Sequence, residues 1–493
     1  MIDTISCIVL LIYSLAILLI FCYALAQLNL LMNYIKSSKK STITEKYNLS
    51  NPEEIPFVTI QLPIYNEKYV VERLLNQIAA IDYPHDKLEI QVLDDSTDSS
   101  LQSTADLVQK IAARGIPIQH ITRINRVGFK AGALKEGLLT AKGEFIAIFD
   151  ADFLPGKDWL LQTVPYFKNQ KVGVVQTRWG HINRNYSILT KIQAFALDAH
   201  FTLEQVGRNS KSHFINFNGT AGIWRKSCII DAGNWESDTL TEDLDLSYRA
   251  QLKKWEFIYL EDVVTPAELP AILSAARSQQ FRWNKGGAEN FAKMKSRVLG
   301  ATSIPTKTKI HGILHLLNSS MFLCVFAMAV LSVPVLFIKN QYSALSLYFD
   351  VMVFFIITSI IFFICYWNTY KKINGGGFLN FAKYTQLFFT FYSIAMGFSF
   401  QNSVAVLEGL FGIKSEFIRT PKFNIEALQD KWKDNVYINK SISKYTLFEG
   451  LLTLYFLSAL IAGYRLNDFA LYPFHIMLFF GFGFVFINSF KST

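Results

Sequence analysis

Several stretches of this sequence contain no charged residue over lengths that can cross a membrane. They cover residues 4–35, 310–338, 351–370, 384–407 and 469–490, and a shorter stretch covers 450–464. A helix needs about 20 apolar residues to cross the hydrocarbon core of a bilayer, so these stretches predict an integral membrane protein. Hydrophobic residues make up 51% of the chain, and their concentration in these stretches excludes an ordinary soluble protein.

The net charge of +9 could indicate an acidic partner, but much of the basic charge lies next to the apolar stretches. Lysines at these borders include Lys36, Lys39, Lys40, Lys371, Lys372 and Lys491. Basic residues at such borders set the orientation of membrane proteins, so we expect membrane lipids as partners and no nucleic acid. The first stretch is too long for the core of a signal peptide, and we interpret residues 1–40 as a retained anchor.

The basic flanks also predict a topology. If the first stretch runs inward, residues 51–300 are cytosolic, and residues 301–493 form a membrane region with about four further spans. The stretch at 384–407 has lysines on both sides, Lys383 before it and Lys414 after it. We therefore expect residues 384–412 to form an interfacial helix, followed by a cytosolic loop at 415–423. This gives five spans, and six spans remain the alternative.

Between residues 51 and 300 the pattern changes to short strand-like segments that alternate with helical ones. Strands are predicted at 58–64, 88–93 and 145–149, and helices at 68–81 and 99–114. Such alternation is typical of an α/β domain with a largely parallel sheet, whose ligands bind beyond the carboxyl ends of the strands.

Carboxylates follow two of these strands. Asp150 and Asp152 come directly after the strand at 145–149, where carboxylates held with little freedom can bind a divalent cation that bridges a diphosphate. A solvated turn is the alternative. Asp94 and Asp95 end another strand and could accept hydrogen bonds from a nucleobase or ribose, or could form an Asx turn or helix cap.

Three further segments carry groups suited to group transfer. Lys130 lies in the glycine-containing segment 128–132, at the start of a predicted helix where a diphosphate could bind. Asp243 precedes a predicted helix at 244–254, where residues 241–243 could form a capping box and Asp243 could also accept a proton and be kept ionised, two interpretations that are compatible. Arg282 suits a phosphate leaving group and Trp283 a sugar ring, although a buried tryptophan in a membrane-proximal helix is the alternative.

His311 and His315 lie four residues apart at the start of an apolar stretch. This spacing can bind a metal ion, but no third ligand is evident nearby, and we interpret both as interfacial histidines.

Taken together, segments 61–67 (QLPIYNE), 94–96 (DDS), 150–152 (DAD), 241–243 (TED) and 279–283 (QQFRW) resemble the signature of processive family 2 glycosyltransferases. The sequence is similar above all to cellulose synthases and to cellulose-synthase-like mannan and glucomannan synthases. Residues 400–422 also resemble the interfacial helix and gating loop of that group, so the resemblance covers nearly the whole chain. It implies an α/β, GT-A-like cytosolic glycosyltransferase domain joined to an α-helical transmembrane region.

The resemblance also implies roles for individual residues, with Asp243 as the catalytic base and Asp152 as a ligand of Mg²⁺ or Mn²⁺. The nucleotide sugar would be bound by Tyr65, Glu67, Asp94, Asp95, Lys130, Asp150 and Arg282. The acceptor would be bound by Asn218, Gly219, Thr220, Gln279 and Trp283, and the gating loop would act through Phe417, Thr420 and Lys422. One departure is Arg419, which stands where the group usually has valine, so the packing of a closed loop is in question.

The function that this resemblance implies is a membrane-embedded inverting hexosyltransferase. It would transfer hexose from UDP-glucose or GDP-mannose to a growing β-linked polysaccharide and extrude the product. The alternatives are a non-processive synthase that glycosylates ceramide or diacylglycerol, and a transporter or receptor with a degenerate domain. A cytosolic catalytic domain is expected, in a bacterial inner membrane or in the Golgi or plasma membrane. Any partner proteins for export remain open.

Overall fold

The structure is a computed structural model that describes residues 2–37, 47, 50–415, 417–427, 429–430, 432, 435–438 and 442–491. Three residues of the predicted basic cluster and loop, Lys39, Lys40 and Glu416, lie outside the described residues, and the side chain of Lys491 is not described.

A seven-stranded sheet forms the centre of the domain at residues 51–300. Its strands are β1 (Val58–Ile64), β2 (Leu88–Asp94), β3 (Ile118–Thr122), β4 (Phe145–Ile148), β5 (Val172–His181), β6 (Gly222–Arg225) and β7 (Glu256–Ala267). Their order across the sheet is β3-β2-β1-β4-β6-β5-β7. The predicted α/β fold class is confirmed, and the three predicted strands coincide with β1, β2 and β4 to within one residue at each end.

The sheet is mixed but largely parallel, as predicted, because four of its six strand pairings are parallel. Strands β3, β2, β1 and β4 pair in parallel, but β6 runs antiparallel to both β4 and β5. Strand β6 is only four residues long, and a segment this short gives little periodicity from which a strand can be predicted. The parallel half matters most here, because the carboxyl ends of β1, β2 and β4 meet at one edge of the sheet.

Helices cover both faces of the sheet. The first helices of the chain are α1 (Thr4–Ser37), α2 (Val71–Ala79), α3 (Ser100–Ala112), α4 (Phe129–Thr140), α5 (Trp159–Thr163), α6 (Ile188–Asp198), α7 (Gln205–Asn209), α8 (Lys226–Asp231) and α9 (Glu242–Leu252). In β4 the buried side chains alternate between faces, with Phe145 packed in the core beneath α2 and α3 and Ile146 packed in the core beneath α4 and α8. The sheet is therefore buried on both faces, and its polar edge is left for binding.

The second half of the chain is helical. It contains α10 (Leu273–Gly300), α11 (Thr306–Leu316), α12 (Met321–Gln341), α13 (Ser346–Val353), α14 (Ile356–Asn374), α15 (Phe378–Gly397), α16 (Ser399–Leu410), α17 (Tyr445–Arg465) and α18 (Tyr472–Lys491). Among the described residues, five helical segments are long and apolar enough to cross a membrane: Thr4–Ser37, Asn318–Gln341, Ser343–Asn374, Tyr445–Arg465 and Tyr472–Phe490. The number of candidate spans therefore agrees with the five spans predicted from the sequence.

Two apolar stretches are divided differently from our expectation. The stretch at 310–338 is not one helix, because α11 ends at Leu316 and α12 begins at Met321. The helix expected at 384–412 is two helices, α15 and α16, which meet at Phe398. Helix α15 begins at Phe378, six residues before the predicted start. Both differences have the same cause: an absence of charge does not mark where a helix bends.

Helix α10 connects the sheet domain to the membrane helices. A side chain at Gly409 of α16 would come within 2.5 Å of the Lys285 backbone oxygen, so α16 lies directly on the backbone of α10. The buried Arg277 of α10 forms an ion pair with the buried Glu449 of α17 and donates a hydrogen bond to Ser489 of α18 at 2.9 Å. Because a buried charge that loses its partner is strongly destabilising, this pair fixes α10 against the membrane helices.

Candidate active site

A pocket opens beyond the carboxyl ends of β1, β2 and β4, and α10 and the loop after α16 close its other side. The predicted site residues that line it are Tyr65, Glu67, Asp95, Lys130, Asp150, Asp152, Asn218, Gly219, Asp243, Gln279, Arg282, Trp283, Phe417, Thr420 and Lys422. Residues from distant parts of the chain thus converge on one site.

Two predicted site residues do not line the pocket. Asp94 is buried behind it, where its carboxylate accepts a hydrogen bond from the Ser96 amide at 2.9 Å and pairs with His120 at 3.0 Å. The Thr220 hydroxyl is also buried and accepts a hydrogen bond from the Asp150 amide at 2.9 Å. Neither side chain faces the pocket, although Thr220 supports Asp150, which does, and contact of these two residues with a ligand stays a prediction.

The edge formed by β1 and β2 carries an aromatic ring and a paired carboxylate. The Tyr65 ring lies under the guanidinium of Arg126, with 3.2 Å from the guanidinium carbon to the ring centroid. Asp95 forms a two-pronged ion pair with Arg123, at 2.6 and 2.5 Å. Sequence analysis missed both arginines, because they follow β3, a strand that it did not predict. The sequence pattern that could have identified them is a pair of arginines three residues apart, shortly before the segment that contains Lys130.

Lys130 lies where the backbone turns into α4. Gly128 and Phe129 both have positive φ values, 75° and 48°, which few residues other than glycine adopt without strain. The Lys130 ammonium donates to Asp150 at 2.5 Å and to the Gly219 carbonyl at 2.9 Å. Burial alone would lower the pKa of Lys130, but the negative charge of Asp150 raises it, so the ammonium stays charged.

Asp152 offers an oxygen that suits a divalent cation. Its side chain is buried, Oδ2 accepts a hydrogen bond from Lys422 at 2.7 Å, and Oδ1 has no hydrogen-bond partner among the described residues. A buried carboxylate oxygen without a partner is costly, and a hard cation such as Mg²⁺ or Mn²⁺ would satisfy it. Asp150 lies two residues away with about a third of its side chain exposed, so the donor set fits such an ion.

A second acidic cluster is not a metal site. Glu236, Asp238 and Asp245 bring carboxylate oxygens close together, but the ammonium of Lys293 lies among all three, at 2.7, 2.8 and 2.8 Å. The Lys293 ammonium therefore already provides the positive charge that balances these carboxylates.

Asp243 begins α9 and faces Gly219 across the pocket. Gly219 has a φ of 78°, and a side chain there would come within 3.1 Å of Asp243 Oδ2, so only glycine leaves this oxygen accessible. Burial raises the pKa of Asp243 well above its ordinary range, and repulsion from Glu242 adds to the shift. A hydrogen bond from the Leu244 amide and the positive charge of Lys130 act against this shift.

The capping box predicted for residues 241–243 is not formed. The Thr241 side chain makes no capping hydrogen bond to α9, and its hydroxyl instead accepts one from Asn290 of α10 at 2.9 Å. This bond ties the start of α9, and with it Asp243, to the helix that forms the opposite wall.

Helix α10 presents Gln279, Arg282 and Trp283 on one face, because residues three and four apart share a face. The guanidinium carbon of Arg282 lies 4.6 Å from the centre of the Phe417 ring, which in turn stacks on Phe129 at 5.6 Å. Trp283 is half-buried and lines the pocket, so the alternative of a fully buried structural tryptophan does not hold.

The loop after α16 reaches into the pocket. Lys422 pairs with Asp152, and Arg419 lies 2.6 Å from a carboxylate oxygen of Glu67. Burial raises the pKa of Glu67 to about 7, although Arg419 and Lys422 act against the shift. Thr420 is buried, and its hydroxyl has no hydrogen-bond partner among the described residues. Arg419, which stands where the group usually has valine, therefore has a defined role: its positive charge pairs with the buried Glu67.

The family model described as "Glycosyltransferase like family 2" matches residues 56–286, which contain the sheet, the acidic pairs, Asp243 and the first half of α10. This segment is a family 2 glycosyltransferase domain. Over these residues, the resemblance to family 2 glycosyltransferases deduced from the ordered motifs is thus confirmed.

Relatives of the glycosyltransferase domain carry a common name. One is "Probable glucomannan 4-beta-mannosyltransferase 4" from Oryza sativa subsp. japonica, 44% identical over 261 residues, which are 52% of this chain and 48% of the relative. Another is "Glucomannan 4-beta-mannosyltransferase 1" from Cyamopsis tetragonoloba, 42% identical over 271 residues, 54% of this chain and 52% of the relative. The matches thus span about half the length of these relatives.

A solved structure has a similar fold. It is a mannosyltransferase from Pyrobaculum calidifontis in complex with GDP-Man and Mn²⁺, with a TM-score of 0.54 and 20% sequence identity. The likeness covers 82% of this chain and 100% of that one. At this level of identity the comparison shows a shared glycosyltransferase fold and no more.

The two histidines at the start of the membrane region serve the packing of the glycosyltransferase domain. His315 accepts or donates a hydrogen bond with the Tyr248 hydroxyl at 2.9 Å, and His311 bonds to Asn29 of α1 at 3.1 Å. The ring of His311 also stacks on His213 at 4.3 Å. Both histidines thus have partners, and neither belongs to the metal-ligand cluster found among the described residues.

Proposed function

We propose that this protein is a membrane-embedded inverting glycosyltransferase that transfers a hexose from a nucleotide sugar to a growing β-linked polysaccharide. GDP-mannose is the first donor to test, because the matching relatives are named glucomannan mannosyltransferases and the solved mannosyltransferase was crystallised with GDP-Man. UDP-glucose is the alternative donor. The intact acidic set argues against a transporter or receptor with a degenerate domain.

The observation that carries this proposal is the position of Asp243. It is a half-buried carboxyl of raised pKa beside Lys130 and Gly219, in the pocket that also contains Asp150 and Asp152. A group of this kind can accept the proton of an attacking hydroxyl. The hydroxyl oxygen bonds to the anomeric carbon while the bond from that carbon to the diphosphate oxygen breaks. One displacement of this kind inverts an α-linked donor to a β-linked product, and no covalent intermediate is required.

The diphosphate would be held by cations of the chain together with a metal ion. Asp152, supported by Asp150, would bind Mg²⁺ or Mn²⁺, which neutralises charge on the diphosphate leaving group. Lys130 and Arg282 line the same pocket and would bind the leaving diphosphate. Tyr65 and Asp95 would bind the nucleoside, while Asn218, Gln279 and Trp283 would bind the acceptor.

The five candidate spans support a product that meets the membrane. We favour a polysaccharide that the same protein extrudes, with the catalytic domain on the cytosolic side as the basic flanks require. A single-transfer synthase acting on a lipid acceptor would use a similar pocket. The size of the product distinguishes the two.

The test is to supply membranes containing the protein with labelled GDP-mannose, UDP-glucose and UDP-N-acetylglucosamine, and to measure the size of the labelled product. We expect a polymer that a β-mannanase degrades. A product that carries one sugar and extracts with lipid would establish the glycolipid alternative. No incorporation from any of these donors would refute the proposed function.

The topology predicts where an exposed residue before the loop can be labelled. A cysteine at the exposed Ser415 should react with a membrane-impermeant maleimide only from the cytosolic side, because α15 and α16 are expected not to cross the membrane. Ser343, the first residue of the third candidate span, provides a matched control that should react only from the other side. Labelling of Ser415→Cys from outside would establish six spans.

The loop containing Phe417, Thr420 and Lys422 is proposed to be a lid over the donor. Thr420→Ala and Lys422→Ala should each reduce turnover roughly 10- to 100-fold, the usual effect of losing one hydrogen bond to a charged group, without preventing membrane insertion. The measurement is turnover per inserted protein, with and without anionic lipid. Lys444→Ala makes the same change of charge at an exposed site outside the pocket and should leave turnover unchanged.

A basic linker held by lipid headgroups would behave differently from a lid. Both loop variants would then weaken membrane contact of α16 in an anionic-lipid-dependent way, with little change in the rate per inserted molecule. Normal turnover in the Thr420→Ala, Lys422→Ala double variant would rule out the lid.

A further inference from the structure

Between α6 and α7 the chain forms one wide turn. Residues Ala199–Glu204 are a π-helix, and the helices on either side are regular and continuous with it. A π-turn is rare and occurs frequently at functional sites. Here the turn contains His200 and Glu204, which pair with each other at 3.1 Å.

The side chain of Asn218 is held at both ends of its amide. Its Nδ2 lies 3.1 Å from Nε2 of His200, and its Oδ1 accepts a hydrogen bond from Gln205 at 2.8 Å. The second hydrogen of the Gln205 amide is donated to the Asn216 carbonyl at 2.9 Å. Because Gln205 donates to Oδ1, the Asn218 nitrogen must be the donor to His200, and the orientation of this amide is fixed.

The other ring nitrogen of His200 fixes its tautomer. Nδ1 faces the Glu204 carboxylate, which can only accept a hydrogen bond when ionised, so Nδ1 carries the proton and Nε2 is free to accept. Burial would raise the pKa of Glu204, but the ion pair with Arg208 and the hydrogen bond from His200 lower it well below its usual range. Gln27 of α1 donates to the other oxygen of Glu204 at 2.8 Å.

We infer that His200 is a positioning residue for the acceptor: it orients the Asn218 amide so that its second N–H can donate to a sugar hydroxyl. Asn218 lines the pocket and precedes Gly219, where an added side chain would meet Asp243. The described residues provide no further hydrogen-bond partner for the Asn218 amide, so one donor remains for a ligand. This inference rests on the proposed function, because it assigns the acceptor end of the same site.

The test compares two replacements of His200 in the full-length protein in membranes. His200→Phe keeps a flat ring without nitrogen atoms, whereas His200→Gln keeps an acceptor for Asn218 and a donor for Glu204. With GDP-mannose as donor and β-1,4-mannotriose as acceptor, we expect kcat/KM for the acceptor to fall about tenfold in the Phe variant, a common consequence of leaving a buried polar group unpaired. The Gln variant should recover to within about threefold of the parent, and GDP affinity should be unchanged in both.

A second variant approaches Asn218 from the other side. Gln205→Met removes the donor to Asn218 Oδ1 and keeps a similar volume, so it should lower kcat/KM for the acceptor as His200→Phe does, again without loss of GDP affinity. If the His200→Phe protein does not insert into the membrane, the Gln205→Met variant tests the role of Asn218 in its place.

The outcomes separate this inference from the proposed function. A parent protein that transfers sugar, together with Phe and Met variants that keep the parent's kcat/KM for the acceptor, would overturn the role of His200 alone. Parallel loss of GDP affinity and acceptor kcat/KM, not recovered by Gln, would show a merely structural role and would also overturn it. A parent that transfers no sugar from GDP-mannose or UDP-glucose would refute the proposed function, and the inference with it.

Discussion

Replacing Asp243 with asparagine is expected to lower sugar transfer by at least about 10²- to 10⁴-fold, the usual contribution of a general base. The amide keeps the shape of the site and can still accept a hydrogen bond from the Leu244 amide, but it cannot accept the proton of the attacking hydroxyl. GDP or UDP binding should therefore survive. Isothermal titration with the nucleotide, run beside the transfer assay, measures both properties on the same preparation.

A matched control is Asp231→Asn, the same change at an exposed carboxylate of α8 that does not line the pocket. It should leave transfer unchanged. Near-normal transfer by the Asp243→Asn protein would mean that another group accepts the proton, and the assignment would have to be abandoned.

The dependence of the rate on pH provides a second measurement on the same residue. A general base acts only when ionised. Burial raises the pKa of Asp243, and repulsion from the negative charge of Glu242 raises it further. Transfer should therefore increase with pH as this carboxyl loses its proton, at a pH above the ordinary aspartate value of about 3.9. The profile of kcat/KM against pH tests this, and a rate that stays constant down to about pH 4 would contradict it.

The parts of the fold that the sequence predicted correctly are those with strong local patterns. Strand β4 is a uniform apolar segment, and in β1 and β2 apolar residues alternate with polar ones over most of the strand, so their periodicity and length identify them. Strand β7 was missed because Glu261 and Asp262 interrupt its apolar pattern. Strand β6 was missed because it is four residues long. Their place in the sheet is decided by partners far away in the chain, which local patterns do not record.

The same division holds for the candidate site. Acidic residues at the ends of β2 and β4 could be found from their positions, because parallel strands bring such ends to one edge. Arg419 and Glu67 form an ion pair although they lie far apart in the sequence, and no local sequence pattern links them. The π-turn at His200 was equally invisible, since its sequence continues the pattern of an ordinary helix.

Replacing Asp152 with alanine is expected to abolish the metal dependence of donor binding. In the parent protein, chelation with EDTA should weaken GDP binding, because the diphosphate loses a cation that the pocket's carboxylates hold in place. In the Asp152→Ala protein GDP should bind at least about 10- to 100-fold more weakly in the presence of Mn²⁺, and EDTA should have little further effect. Asp158→Ala removes an exposed carboxylate outside the pocket and serves as the matched control.

The contact between Lys422 and Asp152 makes this experiment more informative than a single affinity. Lys422 holds Oδ2, so a metal ion that uses this oxygen must displace the ammonium, and the loop that carries it must move. Lys422→Ala should therefore strengthen Mn²⁺ binding in the absence of nucleotide, even though it lowers turnover, whereas the Asp152→Ala, Lys422→Ala double variant should show no such gain. Equilibrium titration with Mn²⁺ alone measures this. Affinity for GDP that EDTA leaves unchanged in the parent protein would show that Asp152 holds no metal ion, and its carboxylate would then serve only to bind Lys422.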